Sequence, residues 1–181
     1  MLLCQTLVGQ VSPREQKPDT RPVAEWKARI PDIQKIMKES KEGTCYGAPI
    51  PTIVDAFGLS TDRLSVALVD YCSAGAYVDS LIPMLLDHGR PVQATMRGAD
   101  RKNLQYEFVS GASAMHSRFV NLVAEENAIY DGFTDNDNQG QMSLCGIKAY
   151  VWNSQSRTFD LNMPLSKSAT AEYCRRLRAQ R

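Results

Sequence analysis

The thiol of Cys45 and the imidazoles of His88 and His116 are the side chains of this sequence that could combine into a nucleophilic site. Cys45 precedes a short apolar segment, and a thiol at the N-terminus of a helix has a lowered pKa and a larger thiolate fraction. A histidine within hydrogen-bonding distance would act as its general base. These residue types allow one functional hypothesis, a small cysteine-nucleophile hydrolase that uses Cys45 with His88 or His116.

The cysteine count favours a structural role instead. Without Cys4, which lies in the apolar N-terminal stretch, an even set remains: Cys45, Cys72, Cys145 and Cys174. Four cysteines allow three pairings. We predict bridges from Cys45 to Cys72 and from Cys145 to Cys174, because each bridge then stays within one half of the chain and ties an end helix to the sheet. Structural disulfides persist in oxidising compartments, so this prediction and export from the cell support each other.

Metal-binding patterns are weak in this chain. No two cysteines have the short spacing of a zinc knuckle, and His88 and His116 are the only histidines. The stretch Asp135–Gly140 has oxygen ligands at alternate positions, but Gly146 stands where a calcium loop of the EF-hand type needs a bidentate acid. A plain Asn/Asp/Gly turn is the simpler interpretation. No metal site and no cofactor are predicted.

A serine nucleophile has a partial pattern in Gly111–His116, where Ser113 follows a glycine and precedes a histidine. Met115 occupies the place of the second glycine of a nucleophile elbow, and no strand-to-helix turn is expected there. The segment is therefore predicted to be a loop between strands.

Aromatic side chains on predicted strands could form a ligand-binding face; they are Tyr71, Tyr77, Tyr130, Tyr150 and Trp152. Aromatic cross-strand pairs are ordinary sheet packing, so core positions are the first expectation for them.

The charge balance argues against nucleic acid as a partner. The chain has 21 Lys and Arg against 20 Asp and Glu, a formal net charge of +1, and no basic stripe runs through its body. The basic cluster from Arg175 to Arg181 suits the last turns of a helix, where cations oppose the dipole. Past the N-terminal stretch no apolar run approaches the ~20 residues that span a bilayer, so a soluble protein without a membrane span is expected.

The first residues have the pattern of a truncated signal peptide. Met1–Gln10 is largely apolar and is followed by a polar stretch with several prolines, and the small Val8 and Gly9 suit a cleavage before Gln10. No Lys or Arg precedes the apolar run, and a frayed apolar terminus is the alternative. We interpret residues 1–20 as a signal-peptide remnant and polar linker, and residues 21–181 as a single globular domain of a periplasmic or secreted protein.

Helical periodicity is confined to the two ends of this domain. Apolar residues recur every three or four positions from Arg21 to Ser40, and Pro31 should divide that segment into two helices, the second from about Asp32. A C-terminal helix should begin near Ala169 with Ser166 or Ser168 as its cap.

Strand patterns fill the middle of the chain. Thr52–Gly58 could be an apolar turn or a short strand, and Tyr77–Leu86 and Pro91–Arg97 flank a predicted hairpin turn with a suitably placed glycine. The other predicted strands are Leu64–Cys72, Leu104–Val109, Arg118–Val123, Ala128–Phe133, Gly146–Trp152 and Arg157–Leu161. Segregated strand and helix runs predict an α+β fold, an antiparallel β-rich meander between an N-terminal helical segment and a C-terminal helix.

With this fold and no convincing catalytic set, the sequence favours an exported accessory protein that acts by binding an unknown protein or small-molecule ligand. The cysteine hydrolase is the alternative. A count of free thiols on the native protein separates the two hypotheses, because a bridged Cys45 cannot be a nucleophile.

Overall fold

The computed structural model describes residues 21–40, 50–60, 62, 64–73, 78–104, 108–113 and 116–180. Within these ranges three α-helices and one eleven-stranded sheet are present. The elements are α1 Arg21–Lys27, α2 Ile30–Ser40, β1 Thr52–Gly58, β2 Ser65–Ser73, β3 Val78–Asp87, β4 Arg90–Gln93, β5 Met96–Arg97, β6 Asn103–Leu104, β7 Phe108–Ala112, β8 His116–Val123, β9 Ala128–Asn136, β10 Met142–Asn153, β11 Thr158–Leu161 and α3 Met163–Ala179. The predicted α+β class is confirmed. The predicted signal-peptide remnant, residues 1–20, lies outside the described residues.

The N-terminal helices cover one face of the first three strands. The predicted break is present, and Pro31 lies in the first turn of α2, where a missing amide costs no helical hydrogen bond. Trp26 and Ile33 are both fully buried in an apolar cluster with β1, β2 and β3. The helices are therefore held by burial of apolar surface.

Strands β2 and β3 are buried on both faces. In β2, Val66 and Leu68 belong to the main core, whereas Ala67 and Val69 face the helices. This alternation follows from the opposite directions of successive side chains in a strand.

The β3–β4 hairpin has the predicted two-residue turn. His88 has φ +48° and Gly89 has φ +75°, so both central residues lie in the left-handed region that a type I′ turn requires. The turn fixes the register Asp87↔Arg90. The hairpin lies next to the second N-terminal helix, since β4 contacts α2.

The remaining strands continue the meander, with two corrections to the predicted pattern. β3 is followed in the sheet by β7, β8, β9, β10 and β11, each pair antiparallel. Pro91–Arg97 is not one strand with one partner: β4 pairs with β3, whereas β5 pairs in parallel with β11. Leu104–Val109 is likewise divided, since β6 pairs with β5 and β7 pairs with β3. Segment 90–97 thus links the start of the meander to its end.

One apolar cluster fills the space between these strands. Its largest fully buried members include Tyr150, Phe108 and Phe159. Trp152 joins the same cluster, and its indole N–H donates a hydrogen bond to Asp62. The polar edge of this indole is therefore satisfied by a side chain outside the cluster.

The C-terminal helix begins earlier than predicted. Asn162, and not Ser166 or Ser168, is the N-cap of α3, and its Oδ1 accepts a hydrogen bond of 2.9 Å from the Leu165 amide. Pro164 fits the first turn, where its lack of an amide is harmless. The prediction of a serine cap was wrong because the hydroxyl of Ser166 binds the backbone of the sheet instead.

Helix α3 lies along the edge of β10 that β11 leaves uncovered. Ser166 Oγ accepts a hydrogen bond of 2.9 Å from the Ala149 amide, and Thr170 Oγ1 accepts one of 2.8 Å from the Ile147 amide. Thr170 also donates to the Ile147 carbonyl over 3.2 Å. The hydroxyls satisfy backbone groups that would otherwise lie unpaired at a sheet edge.

The Cys145–Cys174 disulfide extends the same alignment, with a Cα–Cα distance of 6.0 Å. Every fourth residue of α3 therefore meets every second residue of β10. The two rises match, because four helical residues advance about 6 Å and two strand residues about 6.6 Å. The predicted bridge between Cys145 and Cys174 is confirmed. Cys45 lies outside the described residues and the side chain of Cys72 is not described, so the Cys45–Cys72 bridge stays a prediction.

Candidate ligand-binding site

The two histidines of the predicted cysteine site each bind a neighbouring carboxylate. His88 Nδ1 lies 2.7 Å from Asp87 Oδ1 in the exposed hairpin turn. His116 Nδ1 lies 3.1 Å from Asp135 Oδ1 at the start of β8. Because Cys45 falls outside the described residues, the pairing of its thiol with either imidazole stays a prediction.

The hydrogen bonds between Ser113 and His116 involve the backbone of His116 and not its imidazole. Ser113 Oγ accepts a hydrogen bond of 3.0 Å from the His116 amide and lies 3.4 Å from the His116 carbonyl oxygen, so these contacts are to the backbone. Arg118 Nη1 lies 3.4 Å from Asp135, which also faces His116. The carboxylate is shared between two basic groups on an exposed strand end, and the local loop prediction accounts for Ser113.

The stretch Asp135–Gly140 ends β9 and forms a turn. Asp137 Oδ1 accepts hydrogen bonds from the amides of Gln139 and Gln141, and Gly140 has φ +74°. The carboxylate of Asp137 is thus used to close the turn.

Across the described ranges, no three His, Cys, Asp or Glu side chains come together as a metal-binding group. None of the described helices is both long and apolar enough to cross a bilayer.

The aromatic residues that could form a ligand-binding face do not lie together on one surface. Tyr150 and Trp152 are buried in the main core, and Tyr71 is buried beneath the N-terminal helices. Tyr130 is half-buried, and its hydroxyl donates a hydrogen bond to Glu126. The pKa of its phenol is raised, mainly by burial and further by this hydrogen bond. Tyr77 lies outside the described residues. Core packing therefore explains the buried members.

A groove between α2 and the β3–β4 turn is the better candidate for a binding site. It has a volume of about 580 Å³, within the usual range of small-molecule sites. The lining residues are Arg29, Asp32, Lys35, Ile36, His88, Gly89, Arg90 and Pro91. One wall is helical and the other is the hairpin turn, so the groove depends on the packing of α2 against β4.

The charges in this groove are unbalanced. Three cationic side chains, Arg29, Lys35 and Arg90, face one carboxylate, Asp32, which leaves a net charge of +2 when His88 is neutral. Arg29 Nη1 lies 3.9 Å from Asp32 Oδ2, at the outer limit of an ion pair, and the Asp32 side chain is 58% exposed. Such a pair contributes little attraction in water.

A nearby carboxylate, Asp87, does not offset this positive charge. Arg157 Nη2 donates a hydrogen bond of 2.8 Å to Asp87 Oδ1, and this contact, followed by that of His88, lowers the pKa of the Asp87 carboxyl despite its partial burial. Arg157 belongs to the β10–β11 turn. The positive charge of Arg157 therefore neutralises Asp87 beside the groove.

A second cavity differs in how its polar groups are used. It has a volume of about 400 Å³ and lies at the β10–β11 turn. There, Asn153 donates to Asp160, and Asn162 caps α3. Because these side chains already hold the turn and the helix end, they leave little hydrogen-bonding capacity for a ligand.

The sequence contained part of the signal for the α2 groove. Asp32 and Lys35 are three residues apart and so lie on one side of α2, and Arg29 immediately precedes this helix. Arg90 is distant in the chain and reaches the same groove only because the hairpin turn packs beside α2. Sequence periodicity could therefore find one wall, but not the site.

Compared with protein-family models, curated proteins and solved structures, the chain gives no significant match. The functional argument therefore depends on the groove itself.

Proposed function

We propose that the protein is an exported accessory protein that acts by binding a small-molecule ligand in the groove between α2 and the β3–β4 turn. The observation that carries this proposal is a groove of about 580 Å³ with a net positive charge, since three cations and one carboxylate line it. Small-molecule sites are concave and use a small number of placed polar or charged groups to orient the ligand.

The proposed mode of action is binding without covalent chemistry. His88 contacts Asp87 and is exposed in the turn, and in the groove lining there is no cysteine, serine or second carboxylate that it could activate. The lining groups can orient and neutralise a ligand, and they include neither a thiol nor a hydroxyl.

Export is supported by the Cys145–Cys174 bridge, because structural disulfides are typical of extracytoplasmic proteins. The expected mature N-terminus is at or close to Gln10 in a chain made with its natural upstream sequence. Sequencing the N-terminus of exported protein tests this part, and a mature protein that retains Met1 to Gly9 would contradict it. A free thiol at Cys45 in native protein would favour the hydrolase instead.

The binding function is tested by filling the groove without removing a cation. In Asp32→Trp, a large side chain replaces an exposed lining residue, and in the matched control Lys38→Trp the same side chain stands on α2 outside the groove. Equilibrium dialysis against a defined mixture of sugars, amino acids, organic acids, phosphate esters and polyamines should show at least one ligand retained by the wild type and Lys38→Trp and lost by Asp32→Trp. Retention that is equal in all three proteins would exclude the groove as the site.

A further inference from the structure

Two of the three cations that line the groove, Lys35 and Arg90, have no polar partner among the described residues. Within the described part of the chain, Lys35 and Arg90 form neither an ion pair nor a side-chain hydrogen bond. By contrast, Arg157 contacts Asp87 and Arg175 contacts Glu172. Lys35 and Arg90 are exposed and line the same groove, one from α2 and the other from the hairpin. Their charges are available to a ligand.

Arg29 adds a partly buried cation at the junction of the two walls. A Cβ added to Gly89 would lie 3.5 Å from Arg29 Nη2, so the guanidinium reaches the hairpin turn. Its Nε is buried and has no hydrogen-bond partner among the described residues. Buried N–H groups normally have an acceptor, and the described residues supply none for this one.

The location of the cations favours an acidic ligand over a neutral one. Helix α2 begins beside the groove, and the N-terminal end of a helix carries a partial positive charge that adds to that of the side chains. A neutral ligand would leave the net charge of +2 in the groove without a counter-charge. A ligand with two negative charges would balance the net +2 of the lining.

On the basis of the proposed function, we infer that the groove binds a small molecule that carries two or more negative charges on phosphate, sulfate or carboxylate oxygens. Arg29 and Arg90 supply planar guanidinium groups suited to paired hydrogen bonds with an oxyanion, and Lys35 supplies a point charge. Asp32 faces the same groove and disfavours ligands whose negative charge extends along α2 towards it.

The ligand chemistry is tested with pyrophosphate and citrate as acidic probes and with glycerol and spermidine as neutral and cationic controls. Titration calorimetry should detect pyrophosphate or citrate binding that weakens as sodium chloride is added. Lys35→Gln and Arg90→Gln should each weaken it roughly tenfold, and the double variant by more, because each removes a charge-assisted contact. Lys38→Gln, on the same helix outside the groove, should change it by less than about twofold.

The source of the oxyanion is separated by a vesicle experiment. Phosphatidylglycerol vesicles should bind the protein no better than phosphatidylcholine vesicles if the ligand is a free small molecule. Vesicle binding that requires phosphatidylglycerol and Arg90, without pyrophosphate or citrate binding, would overturn the free-ligand inference in favour of a lipid headgroup.

Failure of this inference is distinguishable from failure of the proposed function. If a sugar, amino acid or polyamine binds, and Asp32→Trp abolishes that binding while pyrophosphate and citrate do not bind, the charge inference is wrong and the groove remains a ligand site. If the acidic probes bind equally to the wild type and the Lys35→Gln/Arg90→Gln double variant, the assignment to this groove is wrong. If nothing in the mixture or the probe set binds, both fail.

Discussion

The C-terminal helix and the second N-terminal helix both pack beside the sheet, but they use their polar side chains differently. On α3, Ser166 and Thr170 bind the backbone of β10, and Cys174 is bridged to Cys145. On α2, Ile33 is buried, whereas Lys35 lines a groove and has no ion pair or side-chain hydrogen bond among the described residues. The polar side chains of α3 bind the sheet, whereas Lys35 of α2 is available to a ligand.

This difference separates stability from binding within one molecule. A hydroxyl that satisfies a buried amide contributes to the free energy of unfolding, because its loss leaves the amide without a partner. An exposed cation without a partner contributes little to that free energy and much to the local potential. Substitutions on α3 should therefore change stability, and substitutions in the α2 groove should change binding.

The largest expected effect is on the apolar contact of the N-terminal helices. Trp26→Ala removes a fully buried indole from the cluster beneath α1 and α2 and should cost about 3–5 kcal/mol of unfolding free energy. Urea denaturation monitored by circular dichroism measures it. Lys27→Ala, at the exposed neighbouring position, should stay within about 0.5 kcal/mol of the wild type. A Trp26→Ala loss below about 1 kcal/mol would mean that the helices are not held by this cluster.

The disulfide should have the next largest effect. Replacing both Cys145 and Cys174 with alanine should lower the free energy of unfolding by about 3 kcal/mol, because the bridge closes a loop of 29 residues in sequence separation. The same denaturation assay under non-reducing conditions measures the change. Lys167→Ala, on the exposed side of α3, serves as the control. Equal stability of the double variant and the wild type would show that the remaining contacts of α3 hold the helix without the bridge.

The hydroxyl contacts are tested with an isosteric change. Thr170→Val keeps the shape of the side chain and removes both hydrogen bonds to Ile147, which should cost about 1–3 kcal/mol. Hydrogen exchange at the Ile147 amide should become faster in this variant, whereas exchange at the Ala149 amide, bound by Ser166, should change less. Unchanged exchange at Ile147 would contradict the role of α3 as a cover for the strand edge.

The smallest effect concerns the link between two turns and depends on pH. Arg157 lowers the pKa of Asp87 in the folded protein, so this contact stabilises the fold above the ordinary Asp pKa of about 3.9. The stabilisation is lost as the pH falls through the lowered folded value. Arg157→Gln should therefore be less stable than the wild type at neutral pH, and the two thermal midpoints should converge on acidification below about pH 4. A gap that grows on acidification would contradict the sign of this linkage.

The sequence predicted the elements whose local chemistry matches their tertiary role. His88 and Gly89 form the expected hairpin turn because a glycine supplies the left-handed conformation. Cys145 and Cys174 pair as expected because the terminal helix returns to its neighbouring strand.

Predictions failed where a residue serves a partner distant in the chain. Ser166 has the side chain of a helix cap, yet it binds Ala149, and the helix starts at Met163. Segment 91–97 has the pattern of one strand, yet it exchanges β3 for β11 as its partner. The groove was missed for the same reason, since Lys35 and Arg90 meet only in the folded chain.

The contrast between the two helices is tested most directly by one set of unfolding measurements, on Thr170→Val and on the Lys35→Gln/Arg90→Gln double variant, each with and without saturating pyrophosphate. A ligand that binds only the folded state raises the free energy of unfolding by RT ln(1 + [L]/Kd), so at a fixed ligand concentration a weaker affinity gives a smaller increment. We expect Thr170→Val to lose stability and keep the increment from pyrophosphate, and the double variant to keep the wild-type stability and lose that increment. A double variant that is destabilised without ligand, or that gains as much from pyrophosphate as the wild type, would contradict the account.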